Sequence, residues 1–495
     1  MTSLITDHLI TLMIVVPFIG ILGILIFRND EWSRRIAFAT SLVNLGLSIS
    51  LWTGYDPTQA GMQFTQSVQW MPAFNIRYSV GVDGISAILV LLTTLLTPLC
   101  VLASWKGITS KVRAFMSLIL LVQSAMVLVF TATDLFLLFM AWEVTMMPMY
   151  FMITLWGGPN RVRAGIKFVL YSLTGSLLLL VGILWLYHEG GGTVDLQTLI
   201  DTEIDPVLQR SIFIALFLGF AIKLPMVPFH SWLPDAHSEA PTAGSAILAG
   251  ILLKMGGYGF VRICLPVLPE GSAYYADVIL WLSVAAILYG GFLALAQTDI
   301  KKLIAYSSIS HMGFVTLGIF AFNQEGIEGA VMQMFNHGMT TGALFLAIGL
   351  LYDRTHKREI SDYGGLHKPM PRFVVLLSIF SVASFGLPGT ANFVGEYLVL
   401  LGTAAGMAKV LLAMGGIVLA AAYMLWMLQR VALGPVQNKA IGILPDLTPR
   451  ELAALVPLAV LIFAVGVYPS PLLDAMDAGV RGLLEILGTA VPGTG

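Results

Sequence analysis

Apolar residues in this chain come in successive blocks of about twenty, beginning near residue 9 and ending near residue 472. That length is what a helix needs to cross a hydrocarbon core of ~30 Å. In hydrocarbon every backbone amide must be satisfied within its own segment, so such blocks are helices. Of the 495 residues, 57% are hydrophobic and 11% are charged, whereas a soluble domain devotes about a quarter of its residues to charge. Mean hydropathy is +0.86. There is too little polar surface to cover a water-soluble body of this size, and the fold class is an all-α polytopic membrane protein.

A scan with a window of about 19 residues predicts about fourteen spans. They lie near 9–27, 36–53, 82–104, 114–132, 134–156, 165–187, 210–231, 240–261, 276–296, 303–321, 328–351, 373–401, 410–429 and 452–472. Prolines and a lysine interrupt the one at 210–231. The first apolar stretch follows Asp7 and His8 without a basic leader, so it is expected to be a retained helix and not a signal peptide. Lysine and arginine collect on the cytoplasmic side of membrane proteins. Loops after odd-numbered spans hold 18 of these residues, among them Arg28, Arg34, Lys106, Arg163, Lys301, Arg358 and Lys439. Loops after even-numbered spans hold 4, namely Arg77, Arg210, Arg262 and Lys409. The odd loops are expected to be cytoplasmic, with both termini on the outer, periplasmic side.

An internal repeat organises the chain. TGSLLLLVGIL at 174–184 and TGALFLAIGLL at 341–351 share six of eleven positions at an offset of 167 residues. The same offset lays the helix of Glu143 over that of His311. Two spans are broken in corresponding places, by KLPMVPF and by GLPGTANF. The expected organisation is three leading helices over 1–112, a five-helix unit over 113–262, a second over 275–432, and a final helix and tail over 433–495. Five crossings per unit make the second copy inverted, the arrangement of transport folds whose ion sites lie where paired helices unwind.

The informative residues are charges inside spans, because a lysine or aspartate at a helix centre costs about 2.5–3.5 kcal/mol on insertion scales. Glu143 is alone in FLLFMAWEVTMMPMYF, where it is either a neutral carboxyl held by a neighbouring helix or a proton carrier tuned by a nearby cation. Lys223 opens the first break, where Pro225 and Pro228 each remove a backbone donor and free carbonyls for water. It is a static counter-charge to Glu143, a proton-exchanging amine, or both in turn. Lys254 lies in GILLKMGGYGF among small residues that allow close helix packing. Glu396 follows the second break. His311 and His337 are either packing residues or relays that titrate near neutral pH. Together the six are expected to form a proton wire. Asp83, Asp134, Asp235 and Glu239 fall at span ends, where helix capping explains them. His230, Asp235 and His237 are too loosely spaced across proline to argue for a metal site. Cys100 and Cys264 read as small packing residues.

The chain carries no G-x-x-x-x-G-K-[ST] loop, no G-x-G-x-x-G and no cysteine cluster. Moving a proton against ~180 mV costs about 4 kcal/mol, so the energy is expected from a partner subunit or another ion's gradient. A net charge of −2 argues against a nucleic-acid partner.

The run KLPMVPFHSWLPDAHSEAPTAGSAILAGILLKMGGYGF at 223–260 closely resembles the signature of the antiporter-like membrane subunits of respiratory complex I, the NADH:quinone oxidoreductase. GVDGIS, AWEVTMMPM, DIKKLIAYSSISHMGF and GLPGTANFVGEY resemble it too, and the likeness covers about residues 80–430. Glutamate at 396, where sister subunits mostly carry lysine, resembles the M type, the mitochondrial subunit-four equivalent. The resemblance implies that Glu143 and Lys223 form a switched pair and that Lys254 is the central relay. It implies that His311 and His337 continue the path and that Glu396 exchanges protons with the other side. It also implies that NADH, FMN, iron–sulfur clusters and quinone bind partner subunits, with no cofactor in this chain. Other membrane subunits, including sister antiporter-like ones, would surround it within the lipid bilayer. The expected location is a bacterial cytoplasmic membrane, with the mitochondrial inner membrane as the alternative. Two other functions compete: a subunit of a multi-subunit sodium/proton antiporter, and a structural scaffold. The scaffold ranks last because it needs neither broken helices nor mid-span lysines.

Overall fold

The computed structural model describes residues 8–436 and 440–490; Asp7 and Lys439 lie outside them. Helices α1 (Leu9–Phe27) and α2 (Asp30–Gly54) lead into a hairpin of β1 (Gln63–Met71) and β2 (Ile76–Val82). Then come α3 (Gly84–Gly107), α4 (Val112–Thr131), α5 (Leu135–Trp156), α6 (Arg161–Glu189), the short α7 (Leu196–Ile200), α8 (Pro206–Lys223) and α9 (Trp232–Glu239). Next are α10 (Thr242–Val267), α11 (Pro269–Leu295), α12 (Ile300–Ile319) and α13 (Gln324–Thr355). The chain finishes with α14 (Pro371–Ser384), α15 (Ala391–Gly402), α16 (Met407–Ala432), α17 (Pro449–Val467) and α18 (Ser470–Ala490).

Twelve of the described helices are long and apolar enough to cross a membrane. With α12 and the half-length pair α14–α15 they account for the fourteen expected spans. Two lysines, three serines and His311 dilute the hydropathy of α12, yet every residue from Ser307 to Ile319 is buried. A helix wrapped by other helices need not be apolar all round. The stretch expected at 210–231 is α8 alone up to Lys223, continued after a break by α9. The stretch at 373–401 divides likewise into α14 and α15.

Successive loops alternate between two faces. One carries Arg28, Gly158, Glu239, Asp299 and Arg358 and is the basic face. The other carries the hairpin, which docks on the α4–α5 loop through Arg77 N–H and the Asp134 carboxylate at 3.0 Å. This hairpin departs from the all-α expectation. Its 63–82 stretch has no apolar run long enough to cross, and a strand edge is tolerated only outside hydrocarbon. The stretch expected as a tail is the helix α18. It buries Leu472, Met476, Val480, Leu483 and Leu487 along one stripe and lies across the hairpin face, where Gln324 donates to Asp477 at 2.6 Å.

Burial sorts the helices into layers. The apolar window of α13 is 100% buried and that of α10 is 94%, against 28% for α2 and 33% for α16. The inner helices α10, α12 and α13 are therefore surrounded by protein. They carry Lys254, His311 and His337.

Candidate functional site

α8 stops at Lys223 because Pro225 cannot continue its hydrogen-bond ladder. The carbonyl of Ile222 accepts instead from the Trp232 indole N–H at 2.9 Å, which ties α9 back onto α8. The Lys223 ammonium lies 5.6 Å from the Trp142 ring centroid and 5.7 Å from that of Phe168, positions that let aromatic faces stabilise a cation. Glu143 is close enough to act on it electrostatically. The two are not in contact, since no ion pair within 4.0 Å joins them. Glu143 Oε1 is buried and has no hydrogen-bond partner among the described residues. Beside it on α5 are Met140, Val144 and Met147, 39%, 39% and 51% exposed. Glu143 thus borders a lateral apolar surface.

The other four predicted residues touch in sequence. Lys254 stands between two π-helical segments, Leu248–Leu252 and Phe260–Cys264. Such widened turns disturb the normal i→i−4 ladder and are frequent at functional sites. Here the Ala249 carbonyl accepts from Lys254 Nζ at 2.5 Å. The same Nζ is 2.8 Å from Nδ1 of His337. Close approach of α10 and α13 makes this possible: a Cβ on Gly338 would lie 2.7 Å from the Gly250 carbonyl. The His337 and His311 rings are neighbours, with centroids 5.6 Å apart. His311 Nδ1 is 2.8 Å from Glu396 Oε1, which also accepts from Gln333 Nε2 at 2.9 Å. Each of Lys254, His337, His311 and Glu396 exposes 2% or less of its surface.

In space the order is Lys254, His337, His311, Glu396, so the two histidines are reversed relative to the chain. An ammonium donates and cannot accept, while a neutral imidazole nitrogen can accept. The Lys254–His337 contact is therefore an N–H from lysine to a neutral ring, or after transfer an imidazolium N–H to an amine. One proton fits both states without heavy-atom movement. The His311–Glu396 contact has the same property at the other end.

The second break positions Glu396. Gly386 has φ +73°, a left-handed conformation that glycine adopts without a Cβ clash, and a Cβ there would meet Glu396 Oε2 at 3.1 Å. The freed backbone is held from α13, where Asn336 donates to the Ala391 carbonyl at 2.6 Å. Thr340 donates to Asn392 at 3.1 Å, and Asn392 donates to the Ser384 carbonyl at 3.3 Å. These supports escaped the sequence reading, although Gln333, Asn336, His337 and Thr340 form a polar stripe at helical spacing.

His237 was missed as well. It is fully buried, stacked on Phe345 with centroids 4.5 Å apart, and neither ring nitrogen has a hydrogen-bond partner among the described residues. Lys254, His337 and Lys301 all act on it electrostatically. Lys301 donates to the Ala240 carbonyl at 3.0 Å and borders a basic-face cavity of about 190 Å³ with Glu239, Thr242 and Asp353. His230, Asp235 and His237 do not converge. Asp235 pairs with Lys167 at 2.7 Å, and His230 packs edge-on against Tyr289. Capping explains Asp83 and Asp134 but not Asp235 or Glu239. Glu239 instead binds Arg358 at 3.2 Å and the Asn160 amide at 2.9 Å. Burial raises the Asp299 carboxyl above the usual carboxylate range, against the opposing pull of Arg358.

Comparison with known proteins fits this geometry. The family model described as NADH:quinone oxidoreductase/Mrp antiporter, TM, matches residues 132–421, and NADH-ubiquinone oxidoreductase chain 4, amino terminus, matches residues 11–131. The chain belongs to this family of membrane subunits. It is 43% identical to the NADH-quinone oxidoreductase subunit M of Rhodobacter capsulatus, over 92% of this chain and 91% of that one. It is 41% identical to the NADH-ubiquinone oxidoreductase chain 4 of Chondrus crispus, over 95% and 96%. Among solved structures it superposes on a chain of respiratory complex I from Thermus thermophilus with a TM-score of 0.88 at 30% identity. That match covers 97% of this chain and 100% of the other.

Proposed function

We propose that the chain is the M-type proton-translocating membrane subunit of an NADH:quinone oxidoreductase. The observation that carries this reading is the run of buried contacts from Lys254 through His337 and His311 to Glu396, which ends beside a broken helix. In hydrocarbon such a set costs too much to be kept for packing alone. Protons enter from the basic face, which we assign to the cytoplasm or matrix, by way of the Lys301 cavity and His237. Lys254 receives them when the charge on Glu143 and Lys223 is rearranged, and Glu396 hands them onward. The separation of Glu143 from Lys223 supports a switch: a pair that is not in contact can be driven together by a charge arriving from outside.

NADH, FMN, iron–sulfur clusters and quinone belong in this reading to partner subunits. A sister antiporter-like subunit fits the surface of Met140, Val144 and Met147, because Glu143 beside it would otherwise border lipid.

The deciding assay is NADH-driven proton pumping together with NADH:quinone electron transfer in membranes carrying Glu143→Gln or Lys223→Ala in the assembled complex. Loss of both activities with normal assembly is expected. Unchanged pumping would remove the reading and turn attention to sodium/proton exchange.

A further inference from the structure

On the hairpin side of Lys254, α10 carries two more polar side chains at helical spacing, Tyr258 and Arg262. They lie one and two turns on, along the stripe that faces α3. Tyr258 is 1% exposed, and its hydroxyl has two acceptors within reach. It donates to the Phe130 carbonyl at 2.9 Å and lies 3.2 Å from Ser86 Oγ. Ser86 donates its own proton to Asp83 Oδ1 at 2.8 Å, so a Tyr258–Ser86 bond can form only with tyrosine as donor. Asp83 Oδ2 is held by Arg262 Nη1 at 2.9 Å. Asp83 and Arg262 line a cavity of about 420 Å³ under α18, together with Met62 of the hairpin lead, Asp195 and Gly479. The ready explanation is a staple: Asp83 caps α3 and pairs with a neighbouring helix. A staple leaves unexplained why a buried tyrosine hydroxyl reaches the capping serine from the relay helix.

We propose that Tyr258, Ser86 and Asp83 form an outward branch of the proton path, leaving Lys254 along α10 and ending in this cavity. It rests on the pumping reading above. Tyr258 is the switch. With its O–H on Phe130 the branch is open-circuited; turned to Ser86, it completes a line of donors from tyrosine to carboxylate. A proton arriving on Tyr258 Oη displaces the tyrosine's own proton to Ser86, and Ser86 passes its proton to Asp83. The neutral carboxyl then releases that proton to the cavity, and reversed hydroxyl rotations reset the line. From Lys254 to Tyr258 the helix rises about 6 Å, a span for a bridging water. Arg262 is the positioning residue that holds Asp83 at the cavity wall.

The test uses the assembled complex in inside-out membrane vesicles carrying Tyr258→Phe, Ser86→Ala or Ser86→Thr. Tyr258→Phe keeps the ring on Phe130 and removes one oxygen. Expected are normal complex content and normal NADH oxidation with an acceptor that takes electrons ahead of quinone. Pumping and NADH:quinone turnover should fall about tenfold in Tyr258→Phe and Ser86→Ala, less than the ~10²–10⁴-fold of a positioned proton-transfer group because water substitutes in part. Ser86→Thr should retain activity. A mere staple predicts lowered content with all activities falling together, and that result overturns the branch, as does unchanged pumping in Tyr258→Phe and Ser86→Ala. Lys254→Met run alongside separates the two ideas. If it too pumps normally, the pumping reading fails and the branch with it.

Discussion

At the scale of single residues, what matters is which side chains can lose a proton. Lysine and arginine carry the same charge, but arginine does not deprotonate in proteins. Lys254→Arg should therefore preserve complex content and lose NADH-driven pumping, the outcome expected of Lys254→Met as well. Fluorescence quenching of a pH-sensitive dye in inside-out vesicles measures the pumping, and a native gel of the same membranes measures the content. If Lys254→Arg pumps, Lys254 supplies charge and not protons. Glu396 gives a second contrast. Glu396→Gln keeps an acceptor for Gln333 and His311, so stability should hold while pumping is lost. Glu396→Ala leaves buried donors unpaired and should cost in addition about 1–3 kcal/mol, read as a lowered melting temperature of the complex. These residues were legible in the sequence because an ionisable group in an apolar run is conspicuous. His237 was not, because it stands in a polar, proline-rich stretch where a histidine is unremarkable. Only the approach of α9 to Lys254 and His337 gives it a place.

At the scale of elements, the broken helices and π-segments place the chemistry. Prolines make the first break visible in the sequence, and a glycine–proline pair the second. The cost of closing the second can be predicted. Gly386→Ala forces a Cβ into the left-handed region, worth roughly 1–2 kcal/mol, and pushes it toward Glu396 Oε2. The expected result is a lower melting temperature with pumping reduced more than electron transfer to an upstream acceptor. Equal loss of both would mean that the break serves folding alone. The π-segments around Lys254 left no readable signal: the first packs on α3 and α13 and the second on α8, contacts that no local sequence pattern marks. The hairpin and α18 were also unread: a hydropathy scan sees only what crosses.

At the scale of the whole molecule, alternation of basic and hairpin faces makes a sidedness prediction. A cysteine replacing Ser361 should react with a membrane-impermeant thiol reagent in inside-out vesicles. One replacing Ser67 on the hairpin should react only when the opposite face is accessible. The reverse pattern would invert the proposed direction of pumping.

The sequence by itself determined that this chain spans a membrane about fourteen times, where it is interrupted, and which ionisable residues it carries into hydrocarbon. Those follow from free energies of transfer and backbone satisfaction, which act residue by residue. The tertiary structure alone decided who touches whom. It reversed the two histidines and brought Lys254 to His337 and His311 to Glu396. It kept Glu143 from contact with Lys223 and set a tyrosine between two acceptors. Contacts between helices distant in sequence depend on the angle and depth at which they pack, which no local pattern encodes.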